Sequence, residues 1–236
     1  MSRREKRKIN PPPPQNILLI RLRRIGDVVM TTPAVAALKR ALPEASLSYV
    51  IEEPYRRLVE GNPDVDEVIT LPPHQSLVGF FNFIGRLRHE RYDLVLDFHG
   101  GPRASLIALF ARAKLKIGYR LKYKKLIYDV RIPRSRGDGY FHSVENHINL
   151  IRAAGIRVDE PLPRLTLPQA RKEETKKIEK YWSDRGLAAA KVVVLHVGAG
   201  NDFRDWGAEN LGSLANLLAN TPLVKVLLVG AAQDER

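Results

Sequence analysis

A chain of 236 residues that is 44% hydrophobic can build one large domain or two small ones, and without cysteine it has no disulfide, thiolate metal site or cysteine nucleophile. Lysine and arginine total 39 against 26 acidic residues, and the net charge of +13 favours anionic partners: nucleic acid, phosphorylated glycolipid or an acidic membrane surface. No apolar run approaches the length of a membrane span.

The basic opening MSRREKRKINPPPPQ lacks the apolar core of a signal peptide. It reads as a disordered tail over 1–15, closed by stiff prolines and either simply solvated or drawn to an anionic membrane. A cytoplasmic protein is the expectation. From Asn16 onward strands and helices alternate. Apolar, β-branched runs predict strands over 17–21, 46–51, 67–71, 94–98, 116–119 and 127–130. Helical spacing predicts helices over 28–41, 54–60, 78–88, 103–111 and 143–154. This alternation indicates a parallel sheet covered on both faces, occupying 16–165. Prolines 161, 163 and 168 then mark a boundary, and a charged linker helix fills most of 166–188. A second unit, 189–236, opens with KVVVLHVGAG, continues through the helical WGAENLGSLANLLAN and reaches another apolar strand, VKVLLVG. One βαβ unit is too small to bury its own faces, so this second domain is expected to be incomplete.

Ligands of open parallel sheets sit beyond the carboxyl ends of the strands. The first such end carries Arg21, Arg23 and Arg24, then Gly26 for a tight turn and Asp27 at the expected first position of the next helix. Asp27 can cap that helix and favour its dipole, or act as a general base. In the second case the arginines would meet anionic ligand groups, with at least one merely solvated. At the second glycine turn, Gly198 and Gly200 allow backbone N–H groups close to a phosphate that Arg204 could neutralise. A dinucleotide fingerprint fails there, because Phe203 stands where a third glycine belongs. Asp64 and Asp66 resemble a metal-holding pair, but turn chemistry before a strand explains them better. His142 and His147 lack a ligand set. His99 either lines the pocket or serves the structure.

Several segments match one family in order. These are NILLIRLRRIGDVVMTTPAVAALKRALPEASLSYVIEE, NPDVDEVI, YDLVLDFHGGPRASLIALFARAKLKIGY, HSVENHINLIRAAGI and VVVLHVGAGNDFRDWGAENLGSLANLL. Together they resemble the lipopolysaccharide heptosyltransferases, the ADP-heptose-dependent glycosyltransferases of family 9. The resemblance implies an α/β fold of GT-B type: a Rossmann-like N-terminal domain with a parallel sheet, plus the first βαβ unit of a second Rossmann-like domain. It implies inverting transfer of heptose from ADP-heptose to the lipopolysaccharide core or a lipid A precursor at a membrane surface, without an essential metal or cofactor and without nucleic acid. Asp27 matches the catalytic base. Gly198, Ala199 and Gly200 match the donor-side turn, and Arg204 a position usually held by lysine that contacts the donor diphosphate. Arg24 and Arg103 fall on the acceptor side. The family's later nucleotide-binding segment has no counterpart before Arg236. The rival expectations are a fragmentary module that binds anionic glycolipid without transfer and, from charge alone, a nucleic-acid binder.

Overall fold

The computed structural model describes residues 12–72, 76–120, 126–134, 142–159, 165–199 and 202–230. The expected tail up to Pro11, the prolines 161 and 163, and Gly200 lie outside them. The chain forms two compact units, Met1–Gln169 and Ala170–Arg236.

In chain order the first unit contains β1 (Asn16–Ile20), α1 (Ile25–Val29), α2 (Thr32–Ala41), β2 (Ser46–Glu52), a 3-10 turn (Glu53–Leu58) and β3 (Glu67–Leu71). It continues with α3 (Leu77–Leu87), β4 (Tyr92–Asp97), α4 (Pro102–Phe110), β5 (Ala113–Tyr119), β6 (Val130–Ile132) and α5 (Ser143–Ala153). The six strands make one sheet in the order β3-β2-β1-β4-β5-β6, parallel throughout. Strands buried on both faces need apolar residues at every position, which explains the unbroken ILLI of β1. Ile17 and Leu19 pack with Val35 and Leu38 of α2 and Ile148 and Ile151 of α5. Leu18 and Ile20 face the other way, onto Phe83 and Ile84 of α3 and Ile107 of α4.

The structure departs from expectation at several elements: the helix expected over 54–60 is the 3-10 turn, β5 starts at Ala113 rather than 116, and two further boundaries have a clear local cause. The single helix predicted over 28–41 is two helices, broken at Met30 and Thr31. The Thr31 and Thr32 hydroxyls donate back to the Val28 and Val29 carbonyls at 2.7 and 2.8 Å, and Pro33 has no N–H to continue the ladder. The last strand of the sheet begins at Val130 rather than 127. Tyr128 turns inward to donate to Asp97, and the Asp129 carboxylate accepts from the Lys116 N–H at 2.8 Å, so regular pairing with β5 begins only at Val130.

The second unit holds α6 (Lys172–Asp184), β7 (Lys191–His196), a 3-10 turn (Asp202–Arg204), α7 (Ala208–Ala219) and β8 (Val224–Val229). β7 and β8 pair in parallel as a two-stranded sheet. No residue of β7, α7 or β8 is buried, as a lone βαβ unit requires. Among the described residues no helix is long and apolar enough to cross a membrane.

Candidate active site

From β1 the sheet runs one way through β2 to β3 and the other way through β4 to β6, so its order reverses between β1 and β4. The crevice outside the carboxyl ends of that strand pair is where such sheets take their ligands. β1 delivers Arg21 through Asp27 to this point, and β4 delivers Asp97 through Gly101.

Beyond β1 the pairing with β2 continues, with Arg21 N–H donating to the Val50 carbonyl (3.1 Å) and Glu52 N–H to the Leu22 carbonyl (2.9 Å). The chain then turns sharply at Arg24, whose φ of 40° is unusual for a residue with a Cβ. The expected glycine turn at Gly26 is therefore a turn at Arg24; Gly26 is helical, and a Cβ there would meet nothing within 4 Å. A strained non-glycine conformation costs of order 1–3 kcal/mol and persists only where the surroundings enforce it. α1 begins at Ile25, which places Asp27 third in the helix rather than first. The N-cap has no side-chain hydrogen bond, so the capping role open to Asp27 goes unused. Its carboxylate instead pairs with Arg21, Nη2 to Oδ2 at 2.5 Å, with 49% of the Asp27 side chain exposed.

Arg21 is the buried hinge of this arrangement. Its Nη1 donates to the Phe98 carbonyl at 2.8 Å, so one guanidinium joins the end of β4 to Asp27, while Nε is buried without a partner among the described residues. Expected with its neighbours to meet a ligand, it faces the protein's own carboxylate. The Phe98 carbonyl is fixed in turn from below. Asp97, fully buried, accepts from the His99 and Gly100 N–H groups at 2.8 Å each and from the Tyr128 hydroxyl, which also bonds Ser105 Oγ at 2.9 Å. Gly101 lets the His99 ring pack closely here, since a Cβ would come within 2.8 Å of it and the ring would have to shift.

The histidines of the region are neutral. Burial first, then the charges of Arg21 and Arg23, push His99 down to about 4; its Nδ1 is buried and unpartnered among the described residues. His147 is pushed to about 3 by burial and by Arg21 and Arg134; its Nδ1 lies 2.9 Å from the Tyr119 hydroxyl and its ring packs on Phe98. Arg134 sits over the Tyr119 ring, 5.0 Å from its centroid.

The other expected residues are placed as follows. Arg23 and Arg24 are exposed beside Asp27. Arg103, at the start of α4, donates to Glu52 at 2.9 Å and to the Pro72 carbonyl at 2.6 Å, tying together the carboxyl ends of β2 and β3. Asp66 is anchored at the opposite edge of the sheet by Lys39 (2.9 Å) and the Leu47 N–H (2.8 Å). Among the described residues no group of three or more His, Asp or Glu could hold a metal ion. In the second unit, Gly198 and Ala199 follow the carboxyl end of β7, half-buried, and Arg204 is exposed with its guanidinium 5.4 Å from the Phe203 ring centroid. Sequence reasoning missed the Arg21–Phe98 link and the Asp97–Tyr128–Ser105 network. A carboxylate closing an otherwise apolar strand, as in LVLDF, was the available signal for the second.

The model of glycosyltransferase family 9 (heptosyltransferase) matches residues 80–236. The chain belongs to this family. Lipopolysaccharide heptosyltransferase 2 of Salmonella typhimurium is 28% identical over 228 residues, covering 92% of this chain and 64% of that protein. Lipopolysaccharide core heptosyltransferase OpsX of Haemophilus influenzae is 21% identical, covering 86% and 57%. The chain thus spans under two thirds of the length of these relatives. Among solved structures, a family 9 glycosyltransferase from Veillonella parvula superposes with a TM-score of 0.81 at 21% identity, over 94% of this chain and 64% of that one. E. coli ADP-heptose LPS heptosyltransferase II gives 0.71 at 24% identity, over 93% and 65%. These likenesses establish a GT-B type fold over the part the chain spans, and the family resemblance read from the sequence holds.

Proposed function

We propose that this family 9 chain transfers heptose from ADP-heptose to a hydroxyl of the lipopolysaccharide inner core, with inversion, at the cytoplasmic face of a membrane. The observation that carries this reading is Asp27: a half-exposed carboxylate at the switch point of the sheet, held through one oxygen by a buried arginine. The acceptor hydroxyl gives its proton to Asp27 as its oxygen bonds the anomeric carbon; the bond from that carbon to the diphosphate breaks, and ADP leaves from the opposite face with the electron pair. The turn of Gly198, Ala199 and Gly200 offers N–H groups to that diphosphate, and Arg204 offsets its charge. Arg24 and Arg103 contact anionic groups of the acceptor, Arg103 with its guanidinium already braced by Glu52.

The test is Asp27→Asn in the full chain, followed as ADP release from ADP-heptose in the presence of inner-core acceptor. Asparagine keeps the shape and cannot take the proton, so turnover should fall on the order of 10²–10⁴. The asparagine carbonyl can still accept from the buried Arg21 guanidinium, so the melting temperature should move by a few degrees at most. A folded Asp27→Asn protein with near-normal turnover overturns the base assignment.

A further inference from the structure

α3 and α4 lie side by side on one face of the first sheet, and their outer surfaces are unexpectedly apolar. α3 buries Phe83, Ile84 and Leu87 beneath it, yet Leu77, Val78 and Phe81 are 78%, 69% and 58% exposed. α4 buries Ala104, Ile107 and Ala108, while Leu106 and Leu109 remain exposed on its far side. The two stripes join: the Phe81 ring meets the Phe110 ring edge-on at 6.5 Å between centroids. Scattered exposed leucines need no explanation, but a continuous aromatic and aliphatic patch does.

Charge decides what covers it. From Ser76 to Leu126 the sequence has eleven lysines and arginines against three acidic residues, one of which is the buried Asp97. Arg86, Arg88 and Arg112, at the carboxyl-terminal ends of α3 and α4, are exposed. A second copy of a chain with net charge +13 would set like charges around the contact. An anionic bilayer instead accepts the apolar side chains among its acyl chains and the basic rim at its headgroups. Helix α3 is the next element in chain order after β3, and its start is fixed by Ser76 Oγ accepting from the Gly79 N–H at 3.1 Å. Its exposed first turn therefore lies at the same edge of the sheet as Asp27 and Arg103.

We infer that the exposed face of α3 and α4 is a docking surface for an anionic lipid bilayer, its apolar side chains entering the acyl region and its arginines meeting the headgroups. This rests on the reading of the protein as a membrane-face transferase and specifies which surface makes the contact. The experiment is cosedimentation of the full chain with vesicles of phosphatidylethanolamine and phosphatidylglycerol, against phosphatidylcholine alone. The variants are Phe81→Ser with Leu77→Ser, and Arg86→Glu with Arg112→Glu. All four side chains are exposed or surface-lining, and circular dichroism confirms folding. Wild type should bind the anionic vesicles at least tenfold better than the neutral ones, and each double variant should lose most of that difference. Undiminished binding by the folded Phe81→Ser, Leu77→Ser variant overturns the proposal. So does a wild type that ignores vesicles but self-associates through this patch. Transfer to a detergent-dispersed acceptor separates the two readings: the docking variants should retain it, whereas Asp27→Asn should lose it and still bind vesicles.

Discussion

Arg21 shows how much of a site can hang on one side chain. Its two Nη groups reach in different directions, one to the Phe98 carbonyl and one to Asp27, a geometry that the planar fork of arginine supports and a lysine ammonium does not. Arg21→Lys should therefore keep the charge but free the Asp27 carboxylate to rotate. We expect a loss on the order of 10²-fold in turnover, the scale of a 1 Å misplacement, with donor affinity unchanged. Steady-state kinetics beside a donor titration would check this, and normal turnover in Arg21→Lys would refute the orienting role. The position of Asp27 was legible in the sequence, since a Gly-Asp pair shortly after an apolar first strand falls at a carboxyl strand end. The partner of Arg21 was not. Phe98 is 77 residues away, and it contributes only a backbone carbonyl, which every residue possesses.

At the scale of elements, the strands of the first unit were readable because burial on both faces leaves an unbroken apolar signal. What the pattern could not give was where pairing stops. The β5–β6 edge is set by Tyr128, whose aromatic and apolar surroundings make the segment look like strand while its side chain dives under the sheet. Gly118 in β5 exists for that ring: a Cβ there would lie 2.6 Å from Tyr128 ring carbons. Overpacking of this kind costs about 1–3 kcal/mol. Gly118→Ala should destabilise the first unit by that amount and, by displacing Tyr128 from Asp97, loosen the loop that presents Phe98. Urea denaturation measures the first effect, and faster amide exchange at His99 and Gly100 reports the second. A stable Gly118→Ala protein with unchanged exchange would show that the ring can move aside freely.

Across the whole molecule, the surplus of positive charge and the neutral buried histidines give stability a definite pH dependence. His147 titrates near 6.5 when unfolded and at about 3 when folded, so between these values the unfolded chain binds the extra proton. Its contribution is complete above pH 6.5 and is lost as pH falls toward 3, at no more than about 1.4 kcal/mol per pH unit. His99, pushed to about 4 but partly exposed, adds a smaller term of the same sign. The lowered carboxyls of Asp66 and Asp93 add a loss of the same sign only around and below pH 4, and so stay out of the comparison between pH 5 and pH 7. Denaturation followed by circular dichroism should thus give a lower unfolding free energy at pH 5 than at pH 7. His147→Asn should reduce that difference, and an identical pH slope in the variant would exclude the histidine as its source. The bareness of the second unit was also foreseeable from sequence, because a single βαβ repeat has too few strands to cover its own faces.

The parallel order with β1 at its centre has a consequence for how the chain is made. β1 leaves the ribosome well before the partner for its second edge: Ile17 pairs with Leu94, and Arg21 waits for the carbonyl of Phe98. Pairing with β2 can come early, but until β4 emerges the nascent chain carries its most apolar strand with one edge bare. Such long-range parallel pairing is slow to form and prone to association with other unfolded chains. This strand is therefore the segment most open to wrong pairing during synthesis.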